Sequence, residues 1–343
     1  MSAAPEFYAA RLGQPFISHQ ELLRARLPRA LRGLAARPGR LRGLALGWLA
    51  RRGHRVAVIR RERGSLPALL VCALPPARRR VFVLELIRRP LPRTAWRRVL
   101  YRLWWHAIEN PALRRGMAAA QVMTAWEREE YANHYGIDRA RVHHVPWPFC
   151  ERRGGSPEAI DEGPGGVFAS GRTACDWETL FAAAQGRGWS LTVVCSGRDR
   201  RRVRALAAGG EAEVHVDVAW GEHDRLLRSA EVCVIPIEDR GLSAGQVRLM
   251  TAVEAGIPVV ATKVRSLDGY LVPGETAVVV PAADAEAMRA AIEALLADPE
   301  RRRRIRDAAL ARARGWTYAD YFARIATLVL GKREIHPAGP GSG

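Results

Sequence analysis

Three features of the sequence predict an α/β protein made of two doubly wound domains. Short apolar runs alternate with helical stretches of about 10–14 residues, the pattern of βαβ units around a buried parallel sheet. At 343 residues the chain exceeds one ordinary core and suits two. One stretch, 151–165 (ERRGGSPEAIDEGPG), is polar and rich in Gly and Pro, as linkers are. The predicted division is a first domain over 1–154, a linker over 155–165, a second domain over 166–315 and a terminal segment over 316–343. The helix of that last segment is expected to pack back on the first domain, ahead of a frayed tail.

In the second half each apolar run leads into a helical pattern. GVFASGR (166–172) precedes DWETLFAAAQGRG (176–188), and SLTVVCS (190–196) precedes RDRRRVRALAA. AEVHVDV (212–218) precedes GEHDRLLRSA, and EVCVIPI (231–237) leads through a loop to SAGQVRLMTAVEAG (243–256). IPVVATKV (257–264) and AVVVPA (277–282) complete the strands. From Asp284 to Leu330 the pattern is helical, with Met288, Ile292, Leu295 and Leu296 at amphipathic spacing. The first half is less regular. RVAVIRR (55–61), RVFVLELI (80–87), AAQVMTAW (119–126) and RVHHVPW (141–147) read as strands, SLPALLVCAL and EREEYANHYG as helices. Residues 1–50 show helical patterns and no strand.

Hydrophobic residues at 48% and charged residues at 26% exclude collagen-like, mucin-like and disordered classes. Apolar runs such as Leu66–Leu74 fall short of the roughly 18–20 residues of a membrane span. The start, MSAAPEFYAARLGQ, has no basic segment leading into an apolar one, so no secretory signal is read there. Cys72, Cys150, Cys175, Cys195 and Cys233 share no CxxC or zinc spacing, and a cytoplasmic, reduced compartment is expected. Residues 1–150 hold 28 arginines against 9 acidic residues, so the whole formal net charge of +19 lies there and the remainder is neutral. Such a half is expected to face a membrane surface, a phosphorylated substrate or a nucleic acid. Nucleic acid ranks last, because no nucleic-acid motif accompanies the charge.

Two turns suit phosphate. Ser243-Ala244-Gly245 follows a strand and loop and opens a helix, whose first N–H groups and dipole attract anions. Ser243 fits the N-cap there, and Gly245 lets an anion approach the backbone. Ser170-Gly171-Arg172 ends the first strand of the second half, with Arg172 able to pair with a phosphate. Both turns sit at strand C-termini, where open parallel sheets bind ligands.

GVFASGR, SAGQ followed by EAGIPVVAT, the stretch 269–277 and a long basic terminal helix together resemble the second domain of the two-domain, Rossmann-like GT-B glycosyltransferases. The similarity is to the large retaining group that uses nucleotide-diphosphate sugars (glycosyl transferases group 1). It covers 166–325 and is most specific over 251–282. The resemblance implies a donor site in the second domain, an acceptor site in the first, and transfer in a cleft between them. Ser243, Ala244, Gly245 and Gln246 would wrap the donor diphosphate, with Ser170, Gly171 and Arg172 beside it. Where the family carries two glutamates eight residues apart, this chain has Ser243 and Thr251. Thr251 is expected to give a ribose one hydrogen bond, with Glu254 as a substitute; Glu238 and Asp239 are candidates for the lost first carboxylate. No lysine stands beside Arg172 over Thr173–Asp176. The first half lacks the family's opening glycine-rich turn and reads as an abbreviated domain.

The acid–base candidates are Glu85, at the end of RVFVLELI, Glu127, after QVMTAW, and Asp239. Glu85 pairing with Arg88, and Glu127 serving as a helix N-terminal carboxylate, are the structural alternatives. His143 and His144 are adjacent in a strand with no third ligand at metal spacing, so no metal and no cofactor are expected. TAWRRVLYRLWWHAI (94–108) and the arginine-rich segment 22–60 pair aromatic or apolar residues with arginine, which suits either a buried face with solvated arginines or an anionic bilayer. The expected function is sugar transfer from a nucleotide-diphosphate sugar to an unidentified acceptor, with retention, at a membrane surface or on a natural product. The alternative is an inactive relative that binds or scaffolds.

Overall fold

The computed structural model describes residues 43–44, 47–48, 50–51, 57–60, 65–77, 79–88, 91–92, 94–149, 166–210 and 212–330. The chain divides into two compact units, unit 1 comprising 1–146 with 319–343 and unit 2 comprising 147–318. The predicted linker 155–165 and most of the segment 22–60 lie outside the described residues.

Unit 1 holds a four-stranded parallel sheet in the order β1 (Ala57–Arg60), β2 (Val81–Leu84), β3 (Met117–Val122), β4 (Val142–His144). Right-handed crossovers between strands laid down in sequence order place their helices on one face. On that face Val81, Val83, Met117 and Ala120 pack with Leu69, Leu113, Tyr131 and Tyr135. The other face presents Phe82, Ala119 and Val145, which are buried with Tyr321 and Ile325 of the helix Tyr318–Leu330. The end of the chain thus supplies the cover that the crossovers leave out.

The strand expected over 119–126 is shorter. β3 ends at Val122, and a helix begins at Ala125. The cause is local: the Glu127 carboxylate accepts from the N–H groups of Met123 and Thr124, at 3.0 and 2.9 Å, and turns the chain into the helix Ala125–Tyr135.

Unit 2 holds a six-stranded parallel sheet in the order β10-β9-β8-β5-β6-β7. Its strands are β5 (Val167–Gly171), β6 (Leu191–Cys195), β7 (Ala212–Val216), β8 (Val232–Ile235), β9 (Val259–Thr262) and β10 (Val278–Val280). The sequence runs outward from β5 through β6 to β7, then returns to the other side of β5 with β8. Central strands covered on both faces carry continuous apolar runs, and VCVI of β8 is buried at every residue. Aspartates start the flanking helices: Asp176, Asp284 and Asp298 accept from the N–H groups of Thr179, Ala287 and Arg301 at 2.8–3.1 Å.

Trp147–Phe149, expected in the first domain, fold with unit 2. The Trp147 N–H donates to the Tyr270 hydroxyl at 2.7 Å, the Phe149 N–H donates to the Trp316 carbonyl at 2.6 Å, and Phe149 is buried in the unit 2 core.

Candidate functional site

In an open parallel sheet the two strands on either side of a reversal in strand order splay their following loops apart, leaving a crevice beyond their C-terminal ends. In unit 2 the reversal lies between β5 and β8. The segments leaving those two strands are 170–176 and 236–246, which contain both phosphate-suited turns.

Ser170 and Gly171 end β5. A Cβ on Gly171 would overlap Cys175 Sγ and lie 2.7 Å from Arg248 Nη1, so only glycine fits. The Ser170 hydroxyl is 3.0 Å from His223 Nε2, and His223 stacks on Trp220 with ring planes 8° apart. Arg172 is largely exposed and pairs with Asp217, at the end of β7, at 3.0 Å. An ion pair this exposed adds little stability, so the guanidinium is free to turn to a ligand at small cost.

The second turn differs from expectation in one respect. Ser243 is not the N-cap; the helix is Gln246–Glu254, and Gly245 caps it with a left-handed φ of 97°. The reason is tertiary. The Gln246 amide donates to Ser243 Oγ at 2.7 Å and to the Ser266 carbonyl at 2.8 Å, and the Ser266 hydroxyl donates to the Ala244 carbonyl at 2.7 Å. Ser243, Ala244 and Gln246 are buried in holding this turn, and a Cβ on Gly245 would collide with Ile237 Cδ1. Their hydrogen bonds shape the helix start, whose first-turn N–H groups have no acceptor within the helix.

Arg248, three residues beyond the cap, was not expected in the site. Its guanidinium donates to the Ser170 carbonyl at 3.0 Å and to the Thr173 carbonyl and Cys175 Sγ at 3.5 Å. A cation in the first turn meets the positive end of the helix dipole, the reverse of the usual preference. Two carbonyl oxygens offset that repulsion here, and an anion at the same place would do so more strongly. Arg248 brings a second basic side chain to the end of β5, against the segment that carries Arg172. The only sequence signal was its place in the first turn of the phosphate-suited helix; its partners lie more than 70 residues away.

Of the other expected residues, Glu238 and Asp239 lie on the segment after β8, with the Glu238 N–H donating to the Ala174 carbonyl at 3.0 Å, and Thr251 and Glu254 lie further along the helix. Thr251 is 7% exposed, midway along the helix, and offers little surface to a ribose. Glu254 is the last helical residue, one turn beyond Thr251. Glu238 is held by Arg202 at 3.2 Å and by Arg240. Asp239 is exposed, and its Oδ1 accepts from the Gly241 N–H at 3.3 Å. In unit 1, Glu127 is fully buried at the start of its helix and accepts there from two backbone N–H groups, the structural role named as the alternative to a catalytic one. Glu85 follows β2 with φ 51°, and its N–H donates to Gln121 Oε1 at 2.8 Å. Gln121, wholly buried, also donates to the Val145 carbonyl at 2.7 Å and ties the ends of β2 and β4 together.

Four non-glycine residues among those described have positive φ: Glu85, Ala174, Asp217 and Ala283. Each follows the C-terminal end of a parallel strand within three residues. Such conformations cost about 1–3 kcal/mol and collect at functional edges.

Burial pushes the Cys175 thiol up and the Cys233 thiol up to about 12, so neither is a nucleophile at neutral pH. His143 and His144 are held below the usual histidine range, chiefly by burial, and are neutral at pH 7. Among the described residues no group of three or more His, Cys, Asp or Glu side chains could hold a metal ion.

Residues 176–298 match the family model described as Glycosyl transferases group 1. No curated protein matches the chain by sequence. Several solved structures share its fold. Sucrose-phosphate synthase from Thermosynechococcus elongatus has a TM-score of 0.63 at 20% identity, over 89% of this chain and 80% of its own. HepE of Anabaena, solved in complex with UDP, has a TM-score of 0.62 at 13% identity, over 84% and 82%. WaaG, a glycosyltransferase involved in lipopolysaccharide biosynthesis, has a TM-score of 0.54 at 16% identity, over 75% and 79%. The group 1 match contains the Gly245-capped helix, and the structural matches span both units: the chain has the GT-B fold, and residues 176–298 of its second unit are similar to the glycosyl transferases group 1 family.

Proposed function

We propose that the protein transfers a sugar from a nucleotide-diphosphate sugar, with the diphosphate bound at the C-terminal edge of the unit 2 sheet between β5 and β8. The observation that carries the reading is the placing of the Arg248 guanidinium, in the first turn of the helix that follows β8, on the Ser170 and Thr173 carbonyls at the end of β5, the segment that also carries Arg172. The chemistry follows from that arrangement. As the bond from the sugar's anomeric carbon to the diphosphate breaks, charge develops on the departing phosphate oxygen. Fixed cations and backbone donors aimed at that oxygen stabilise the charge without reorganising. Retention of configuration is part of the proposal and rests on the resemblance to the retaining group; the anomeric configuration of the product, read by NMR, tests it.

The second reading, a binder without turnover, is favoured by Ser243 and Thr251 at the two glutamate positions. Both are buried and neither can act as a carboxylate.

A thermal-shift series with UDP, GDP, ADP and their glucose conjugates tests the donor site. Ligand at a hundredfold excess over Kd should add about 2.7 kcal/mol to the apparent stability. One base is expected to raise Tm selectively, and no shift with any of them at millimolar ligand would defeat the proposal. A shift without donor hydrolysis or transfer would favour the binder. Arg172→Ala is expected to weaken donor binding about tenfold, as loss of one charge-assisted contact does; unchanged turnover would remove Arg172 from the site.

A further inference from the structure

We infer that the helix Ala95–Trp104 of unit 1 is a docking surface for an anionic lipid bilayer. Helices of soluble domains turn their apolar stripe inward. This one leaves its stripe outside, and no residue of it is fully buried. Trp96, Val99, Leu100 and Leu103 fall within an arc of roughly 100° on the helical wheel, and each is 56–63% exposed. Trp105, nine residues from Trp96 and so on the opposite side, is the buried anchor. Its ring stacks on His134 at 5.1 Å and packs against Tyr135 at 5.1 Å.

The charges identify the partner. Arg97 lies beyond one edge of the exposed stripe and Arg98 and Arg102 beyond the other, all three exposed. No acidic residue occurs between Leu91 and Ile108. An apolar stripe with a tryptophan, bordered on both sides by arginines, matches the acyl boundary and phosphate layer of an anionic membrane, where long basic side chains reach the headgroups. The arginine excess of residues 1–150 acts in the same direction, since it adds long-range attraction to the same surface.

Cosedimentation of the full chain with phosphatidylcholine vesicles, with and without 30% phosphatidylglycerol, tests the inference. No nucleotide is present, so the outcome is independent of the donor site. The protein is expected to bind the anionic vesicles at least tenfold more tightly than the neutral ones, and to lose most of that binding between low and high salt as screening shortens the range of the attraction. Leu100→Glu/Leu103→Glu changes only exposed positions and should leave Tm within a few degrees while abolishing binding. Failure of the wild-type chain to bind, equal binding to neutral vesicles, or undiminished binding by the double variant would each overturn the inference. A wild-type dimer that the double variant dissociates, with no vesicle binding, would assign the face to a second copy instead. A large fall in Tm in the double variant, with vesicle binding unchanged, would assign it to another segment of this chain.

Discussion

Replacing Arg248 with alanine is expected to lower kcat/KM for the donor about 100-fold, the usual loss when one preorganised donor to a developing oxyanion is removed. The guanidinium bridges the Ser170 and Thr173 carbonyls beside Gly171, whose lack of a Cβ leaves the room that Cys175 Sγ and the guanidinium fill. The variant therefore loses a charge and also loosens the segment after β5. Arg248→Lys separates the two effects. It keeps a cation at the helix start but cannot hold both carbonyls in a fixed fork. Donor binding in the lysine variant should recover in part, while its Tm without ligand should resemble that of the alanine variant. The measurements are steady-state kinetics against donor and the nucleotide-dependent Tm shift. A kcat/KM within twofold of wild type in Arg248→Ala would move the diphosphate away from this edge.

Glu127→Ala is expected to destabilise unit 1 by about 2–4 kcal/mol, because it strips the acceptor from two N–H groups. Glu127 is fully buried, and its Oε2 serves both Met123 and Thr124. Tyr131 reports on the same contact: burial and then the Glu127 charge hold its hydroxyl well above the usual tyrosine range. Glu127→Gln keeps an oxygen in place and is also accepted at this helix position, so its cost should stay within about 1.5 kcal/mol. Thermal or urea unfolding ranks the variants. Kinetics decide the role: Glu127→Gln should keep donor turnover within about threefold. A thousandfold loss with an intact Tm would return Glu127 to the list of catalytic candidates.

The elements of unit 2 were readable because a strand buried on both faces has to be apolar throughout, and an aspartate before a helical pattern marks its start. The ends of elements were less readable where side chains compete with the backbone. QVMTAW has the composition of a strand through Trp126, yet a carboxylate further along the chain captures Met123 and Thr124 and ends it early. Ser243 has the chemistry of an N-cap, yet the amide of Gln246 engages its hydroxyl and Gly245 takes the capping position.

Periodicity, turn chemistry and charge are local properties, so the chain carries them openly: two parallel α/β units, two turns suited to phosphate, and a basic first half. The assembly of the site is not local. Arg248 reaches the Ser170 carbonyl across 78 residues of chain. The facing of Ala95–Trp104 is likewise a matter of packing. Its pattern suits a buried stripe as well as an exposed one, and the choice was made when Trp105 found its place against His134 and Tyr135 and left Trp96, Leu100 and Leu103 turned outward.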